Sequence, residues 1–288
     1  MRKYKNKLAD ALKNPELEIL VATMNRNSLD FLFSMFSEAD LFKHHVLIVN
    51  QTSPDNLLVS DYPNIRVINT YEKGLSKSRN LALQNAIGKI VLIADDDVKY
   101  LPGFQQQIIN SYTQNPETNA ICFQTVTAEN KLFRSYKSQK TAMKNKDFLW
   151  VLSIEITCKL ADIKEKAILF NEHFGLGARF QDSESLYFLR RLHHNNLKVL
   201  FVPQNIVLHE SRSSSDDITS DRWLYAKTAG FYKRYHLLAY LLAFKMVFFL
   251  LRKNKITFYG IQHKLQVAFS GIKDYKALLQ NKSEEFFK

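Results

Sequence analysis

The chain has 288 residues, enough for one large domain or two smaller ones, and its 46% hydrophobic and 24% charged composition excludes a generally disordered protein. Its two cysteines, Cys122 and Cys158, lack metal-binding spacing and read as buried thiols in a reducing compartment, with a single disulfide as the alternative. The net charge of +12 is concentrated at one end: Arg222 to Lys288 holds 13 Lys/Arg against 3 Asp/Glu, while Met1–Asp221 holds 27 against 25, so it is the tail that is expected to meet an anionic partner.

Met1–Lys5 is basic with no apolar run behind it, which is not the pattern of a signal peptide. Leu17–Thr23 reads as a first strand, followed by polar Met24–Ser28, where Asn27 or Ser28 is placed to cap a helix over Leu29–Leu41. His45–Val49 is a second strand, closed by the turn-rich Asn50–Asn56, and Ile65–Ile68 is a short third. Gly74-Leu75-Ser76-Lys77-Ser78-Arg79-Asn80 opens a helix in which Ser76 can serve as cap and Gly88 as a left-handed end.

Lys89–Ala94 is apolar, the look of a buried strand, and it ends at Asp95-Asp96-Asp97. Three adjacent carboxylates repel one another and cannot stay uncompensated at a buried strand end. A divalent metal with a phosphate ligand is the natural compensation. Pro102 to about Tyr112 follows as a helix and Ala120–Val126 as a fifth strand. Strands alternating with helices predict an α/β domain with a mostly parallel sheet, and ligands of such sheets bind at the carboxyl ends of the strands. Asn25, Asn50 and Asp95–Asp97 all fall there.

Thr127–Trp150 is polar and basic and reads as a loop or a region that orders on binding. Ser153–Lys159 is read as a strand, Asp162–Ala167 as a helix, and Leu169–Gly177 as a glycine-containing loop. A helix is expected over Asp182–Asn195, with two late strands at Val199–Val202 and Ile206–Leu208 separated by Pro203, and a mobile Ser/Asp-rich stretch at Ser211–Ser220. In the tail, Leu237–Leu251 is apolar except for Lys245, and its 15 residues fall short of the roughly 20 that span a bilayer. If one continuous helix covers this region, Arg234, Lys245 and Arg252 fall within about 20° of one line. That is the pattern of a helix lying in an anionic membrane interface; packing on the catalytic domain is the alternative, and nucleic-acid binding is not expected.

The ordered set Val21-Ala22-Thr23-Met24-Asn25-Arg26, Gly74–Asn80, Ala94–Asp97, Phe170–Gly177 and Val202-Pro203 through His209-Glu210-Ser211 resembles glycosyltransferase family 2, over roughly residues 15–215. The resemblance implies the GT-A fold, a Rossmann-like α/β domain, here with a C-terminal basic and apolar helical extension. On that reading 1–221 is the catalytic domain, with nucleotide-sugar binding at about 15–125 and the acceptor and base region at about 126–215, and 222–288 is a membrane-associating tail. The implied activity is inverting transfer of a sugar from a nucleotide-sugar to a glycan or lipid-linked acceptor, in cell-surface polysaccharide synthesis at the cytoplasmic face of the membrane.

The implied site residues follow motif by motif. Thr23 and Asn25 flank the nucleotide. Asp95 takes the ribose side and contributes to the metal, Asp96 lies behind it, Asp97 holds Mn²⁺ or Mg²⁺, and His209 completes the metal shell. Arg79, and with it Lys77, contacts the donor phosphates. UDP-sugar is the implied donor, but the family's uracil-reading Asp position holds Asn50-Gln51, which leaves the base open. The family's acidic triplet aligns with Ser183-Glu184-Ser185, making Glu184 the first choice of general base and Asp182 the second. Ser185 in place of a second acid keeps a catalytically weak binding relative open, and the metal–phosphate chemistry keeps a nucleotidyltransferase open. The sugar, the acceptor and the oligomeric state are not legible.

Overall fold

The apolar runs of the first half pair as parallel strands of one sheet. The computed structural model describes residues 14–37, 41–209 and 218–280. Its strands are β1 (Leu17–Met24), β2 (His45–Gln51), β3 (Ile65–Thr70), β4 (Ile90–Asp95), β5 (Lys99–Tyr100), β6 (Ala120–Val126), β7 (Thr141–Ala142), β8 (Ile156–Lys159) and β9 (Val199–Leu208). Their order is β3-β2-β1-β4-β8-β6-β9-β5, with β7 also on β9. The pairings β3–β2–β1–β4 and β6–β9 are parallel; β8 runs antiparallel to both β4 and β6. The result is the expected α/β architecture, with a sheet more mixed than a strict strand–helix alternation gives.

Alternating side chains feed two cores. Ile19, Val21, Ile48 and Leu92 pack with α1 (Phe31–Met35) and α3 (Phe104–Gln114). Leu20, Leu47, Val91 and Ile93 pack with Ala82 and Leu83 of α2 (Leu75–Asn85) and with Phe188 and Leu192 of α5 (Glu184–His194). Each such fully buried aliphatic contributes roughly 1.5–3 kcal/mol over an exposed one. A short helix α4 (Leu160–Glu165) follows β8. Cys122 and Cys158 are free and buried, as expected.

The chain divides into two compact units. The first comprises Met1–Lys73, Lys77–Phe170 and Ser185–Ser211, and contains the whole sheet. The second comprises Gly74–Ser76, Asn171–Glu184 and Arg212–Lys288. Its helices are α6 (Asp221–Tyr235), α7 (Leu238–Arg252) and α8 (Ile261–Gln280). Helices α6 and α8 cross very closely: a Cβ added at Gly271 would lie 2.3 Å from the Tyr225 carbonyl oxygen.

Several elements differ from the sequence expectation for identifiable reasons. Helix α1 ends at Met35 because Phe36 turns extended into an aromatic cluster, 5.5 Å from Tyr100 and 6.2 Å from Phe104. Gly88 is not left-handed; glycine is needed there because a Cβ would sit 2.6 Å from that of Glu18. Ser76 does not cap α2, since its hydroxyl donates to the Phe174 carbonyl at 2.6 Å. The two late strands are one, β9, which passes through Pro203. The register against β6 slips beside that residue, and neither β7 nor β5 reaches it, so the missing N–H costs no ladder bond.

The segment 127–150 holds a strand and a helical turn and is tied down by Tyr136, whose hydroxyl donates to the buried Glu155 carboxylate. In the tail the continuous helix is broken at His236, whose φ is positive (46°), so Arg234 does not share a helix with Lys245 and Arg252. The break lets Ala239, Ala243, Val247 and Leu250 bury one stripe of α7, while Leu238, Leu241, Phe244, Phe248 and Phe249 stay exposed. Most of the Ser211–Ser220 stretch lies outside the described residues; its last residue, Ser220, caps α6 by accepting from the Trp223 N–H at 3.2 Å.

Candidate active site

Strands β1, β2 and β4 end at one level, with Thr23 paired to Asn50 and Ala22 to Asp95. This brings the three consecutive acids against the ends of the neighbouring strands. Each acid is compensated differently.

Asp95 receives Arg79, whose Nη2 donates at 2.7 Å. The Arg79 side chain is only 1% exposed, donates also to the Ser153 hydroxyl at 2.8 Å, and lies 5.5 Å over the Phe170 ring. Arg79, expected at the donor phosphates, is a buried counter-charge of Asp95. A buried guanidinium of this kind stays in place only with a carboxylate partner. Asp96 Oδ2 accepts from the Thr23 hydroxyl at 2.5 Å and from Arg26 Nε at 2.9 Å. Asp97 remains 68% exposed, with His209 Nε2 4.0 Å from its Oδ1. Lost hydration and repulsion from Asp95 and Asp96 hold its carboxyl above the usual range, with His209 pulling the other way.

The remaining nucleotide-side residues divide between frame and surface. Asn50 is fully buried, and its amide is committed: Oδ1 accepts from the Arg26 N–H at 3.1 Å, while Nδ2 donates to the Arg26 carbonyl at 2.9 Å and to Asn69 at 3.0 Å. It braces the loop after β1 instead of presenting an edge to a base. Asn25 is exposed and left-handed (φ 55°), its N–H bonded to the Gln51 carbonyl. Lys77 is half-buried and pairs with the exposed Glu72 at 2.6 Å. A surface pair of that kind contributes little.

Asp182 and Glu184 belong to the second unit. Asp182 Oδ1 accepts from the Ser183 N–H at 2.7 Å, across a left-handed Ser183 (φ 68°) that precedes α5. Burial, and then the Glu184 charge, push the Asp182 carboxyl up to about 6. Glu184 packs on Gly175 (φ +103°), where a Cβ would meet that of Glu184 at 3.2 Å and the Ser76 hydroxyl at 3.0 Å. That glycine is thus required twice, for its backbone and for its neighbours.

Among the described residues no three His, Cys, Asp or Glu side chains converge as a metal cage. At the strand ends Asp97 and His209 form a pair, 4.0 Å apart. Mg²⁺ and Mn²⁺ often take one or two protein ligands and fill the rest with substrate phosphates and water. The pair fits an ion that arrives with a diphosphate and does not fit a resident one. Arg26 and Ser153 carry no role in the sequence pattern. The need of three acids for cations was a signal for Arg26; Ser153 has none, since it enters through the antiparallel β8 connection.

The sequence profile of glycosyl transferase family 2 matches residues 18–175, more than half of the chain. No curated protein matches by sequence at a significant level. Among solved structures the chain is similar to S. aureus TarS, at 15% identity and a TM-score of 0.52, over 90% of this chain. It spans about half of that structure, 54% of its length. It is also similar to TarS 1-349 in complex with UDP-GlcNAc, at 12% identity and a TM-score of 0.54, covering 93% of this chain and 92% of that one. The complex of the same piece with UDP gives 14% identity and a TM-score of 0.50, covering 94% and 91%. These likenesses concern the fold; the profile match, laid over strands that end in the Asp95–Asp97 cluster, shows that this chain belongs to glycosyl transferase family 2.

Proposed function

We propose that this glycosyltransferase moves a sugar from a UDP-sugar to a hydroxyl of a glycan or lipid-linked acceptor, with inversion at the anomeric carbon. The observation that carries this reading is the strand-end cluster, in which Arg79 and Arg26 neutralise Asp95 and Asp96 while Asp97 stays exposed beside His209. The TarS complexes with UDP-GlcNAc and UDP support the choice of donor base. Thr23 and Asn25 border the nucleotide, Asp95 faces the ribose, and Asp97 with His209 holds the donor's divalent ion. A metal bound there with the diphosphate supplies Lewis-acid stabilisation of the leaving group.

In the transfer itself the acceptor oxygen bonds to the anomeric carbon, the bond from that carbon to the diphosphate breaks, and the acceptor proton passes to a carboxylate. Glu184 and Asp182 are the candidates. The raised Asp182 carboxyl favours Asp182, because a base titrating near the working pH is the more effective one. The tail, from 222 onward, is proposed to hold the enzyme peripherally at an anionic inner membrane face, through the exposed apolar side of α7 rimmed by Lys245, Arg252, Lys253 and Lys255. No helix among the described residues is long and apolar enough to cross a membrane.

The test is incubation with a panel of UDP-sugars and Mn²⁺. Release of UDP supports the proposal. Pyrophosphate release from a nucleoside triphosphate would instead assign a nucleotidyltransferase, and donor binding without release a binding-only relative.

A further inference from the structure

Glu155 is a fully buried carboxylate with no part in the transfer chemistry. It closes a single helical turn, Ser153–Glu155, in the first unit, just before β8. Burial pushes its carboxyl up, while the donors around it and the charge of Arg134 pull the other way. A buried carboxylate costs stability where an apolar side chain would fill the same space. Its contribution is therefore directional: it fixes the groups that donate to it.

Those groups come from three places. Oε1 accepts from the Thr125 hydroxyl of β6 at 2.7 Å and from the Tyr136 hydroxyl, which lies in the segment after β6. Oε2 accepts from the Leu152 N–H at 3.0 Å and so shapes the turn itself. One carboxylate thus joins a strand, a loop and a turn.

The turn reaches one flank of the strand-end cluster. Ser153, two residues before Glu155, accepts from Arg79 Nη2 at 2.8 Å and donates to Asp95 Oδ2 at 3.4 Å. The loop reaches the other flank. After β6 the chain reverses, so that Val126 bridges Leu132 in antiparallel fashion and the Phe133 N–H donates to the Thr125 carbonyl at 3.0 Å. The Val126 carbonyl accepts from the His209 N–H at 2.9 Å. Phe133 and His209 consequently meet beside the end of β6, their rings edge-on with centroids 5.6 Å apart. Three residues further on, Tyr136 stacks on Phe201 at 6.1 Å and gives its hydroxyl to Glu155. The ring that backs His209 is therefore anchored through the buried carboxylate.

We propose that Glu155 is a positioning residue for the donor-ion site, holding Ser153 against Asp95 on one flank and Phe133 against His209 on the other. The inference rests on the transfer reading above, in which His209 shares the donor's ion with Asp97, and adds to it the residue that keeps the histidine in place. A side chain that presents a ligand works only when its own supports are rigid.

The test is NMR of the full chain, metal-free and isotope-labelled at histidine, with His209→Gln to assign that ring's signals. Tyr136→Phe releases the loop from Glu155 but keeps its ring on Phe201, and Phe133→Leu removes the ring that faces His209. Both variants are expected to move the His209 signals, which lose the ring current of Phe133. Both are also expected to raise, by about tenfold, the Mn²⁺ concentration that gives half of the UDP-sugar Tm shift. The double variant matches Phe133→Leu alone, because the two substitutions act along one path. Glu155→Leu behaves like Tyr136→Phe, while Glu155→Gln restores the wild-type signals, since hydroxyls can turn to accept from its amide. Where Glu155→Leu does not fold, the Tyr136 and Phe133 variants decide. Unchanged His209 signals in Tyr136→Phe overturn the proposal, and so do effects of Tyr136→Phe and Phe133→Leu that simply add. Failure of the ion reading looks different, since the wild type would then show no Mn²⁺-dependent Tm shift while its His209 signals still answered to Tyr136→Phe.

Discussion

Asp182 titrates near pH 6, whereas an unfolded chain's aspartate releases its proton near about pH 4. Between those values the folded protein keeps a proton that the unfolded chain has lost. Stability therefore falls as pH rises through that window, by at most about 3 kcal/mol from this group. Asp182→Asn removes the effect, so the variant is expected to exceed the wild type in Tm at pH 8 and to match it at pH 4. If Asp182 is the base, the same change lowers kcat by about 10²–10⁴ and leaves the UDP-induced Tm shift intact. Activity of the wild type then rises with pH through about 6 and levels off. Full activity of Asp182→Asn, with Glu184→Gln inactive, would move the role to Glu184. Asp97→Ala is expected to abolish the Mn²⁺-dependent part of the UDP-sugar Tm shift, and a wild-type shift would remove the metal assignment. The sequence showed that the acids needed counter-charges but not which arginine served which acid. Arg79 is four residues into a helix and its burial depends on Ser153 and Phe170, both more than 70 residues away. Asn50 was likewise legible as a strand-end residue, but not as an amide already consumed by Arg26 and Asn69.

Elements made of continuous apolar runs were legible because their pattern is their cause. β1, β2, β4 and β6 lie within a residue or two of where apolar runs end in polar ones. The elements that moved are those whose limits are set by distant contacts. α1 stops for an aromatic cluster, β9 continues through Pro203 because its neighbours leave a gap, and the tail helix breaks at His236 to bury the stripe beginning at Ala239. Gly271 makes the same point for helix packing. Nothing beside it in the sequence marks it, yet a single methyl there would meet a backbone carbonyl at 2.3 Å. Gly271→Ala is expected to cost roughly 1–3 kcal/mol or more and to appear as a lowered Tm. A variant melting with the wild type would show that α6 and α8 are free to separate.

At the scale of the molecule, charge and apolar surface lie together on the helical tail. Co-sedimentation with phosphatidylglycerol-containing vesicles is the expected behaviour, weakening as salt is raised. Leu241→Glu with Phe248→Glu, both at exposed positions, is expected to abolish it without changing Tm. Sedimentation that survives both substitutions would exclude α7 as the contact. The tail's charge asymmetry was visible from composition alone. The interleaving of the two units was not, because Gly74–Ser76 and Asn171–Glu184 join the tail helices through contacts that no local pattern announces.

That interleaving limits how the protein can be recombined. Phe174 and Phe180 pack on Tyr275, Phe180 also stacks on Tyr225, and Arg179 is pinned to Asp274, so the strip that carries Asp182 and Glu184 is moulded by α6 and α8. A chimera that grafts a foreign tail onto this catalytic half inherits the carboxylates without the surface that shapes their loop. Only exchanges that carry residues 171–184 together with the tail preserve it, so the strip and the helical tail can be moved only as one block.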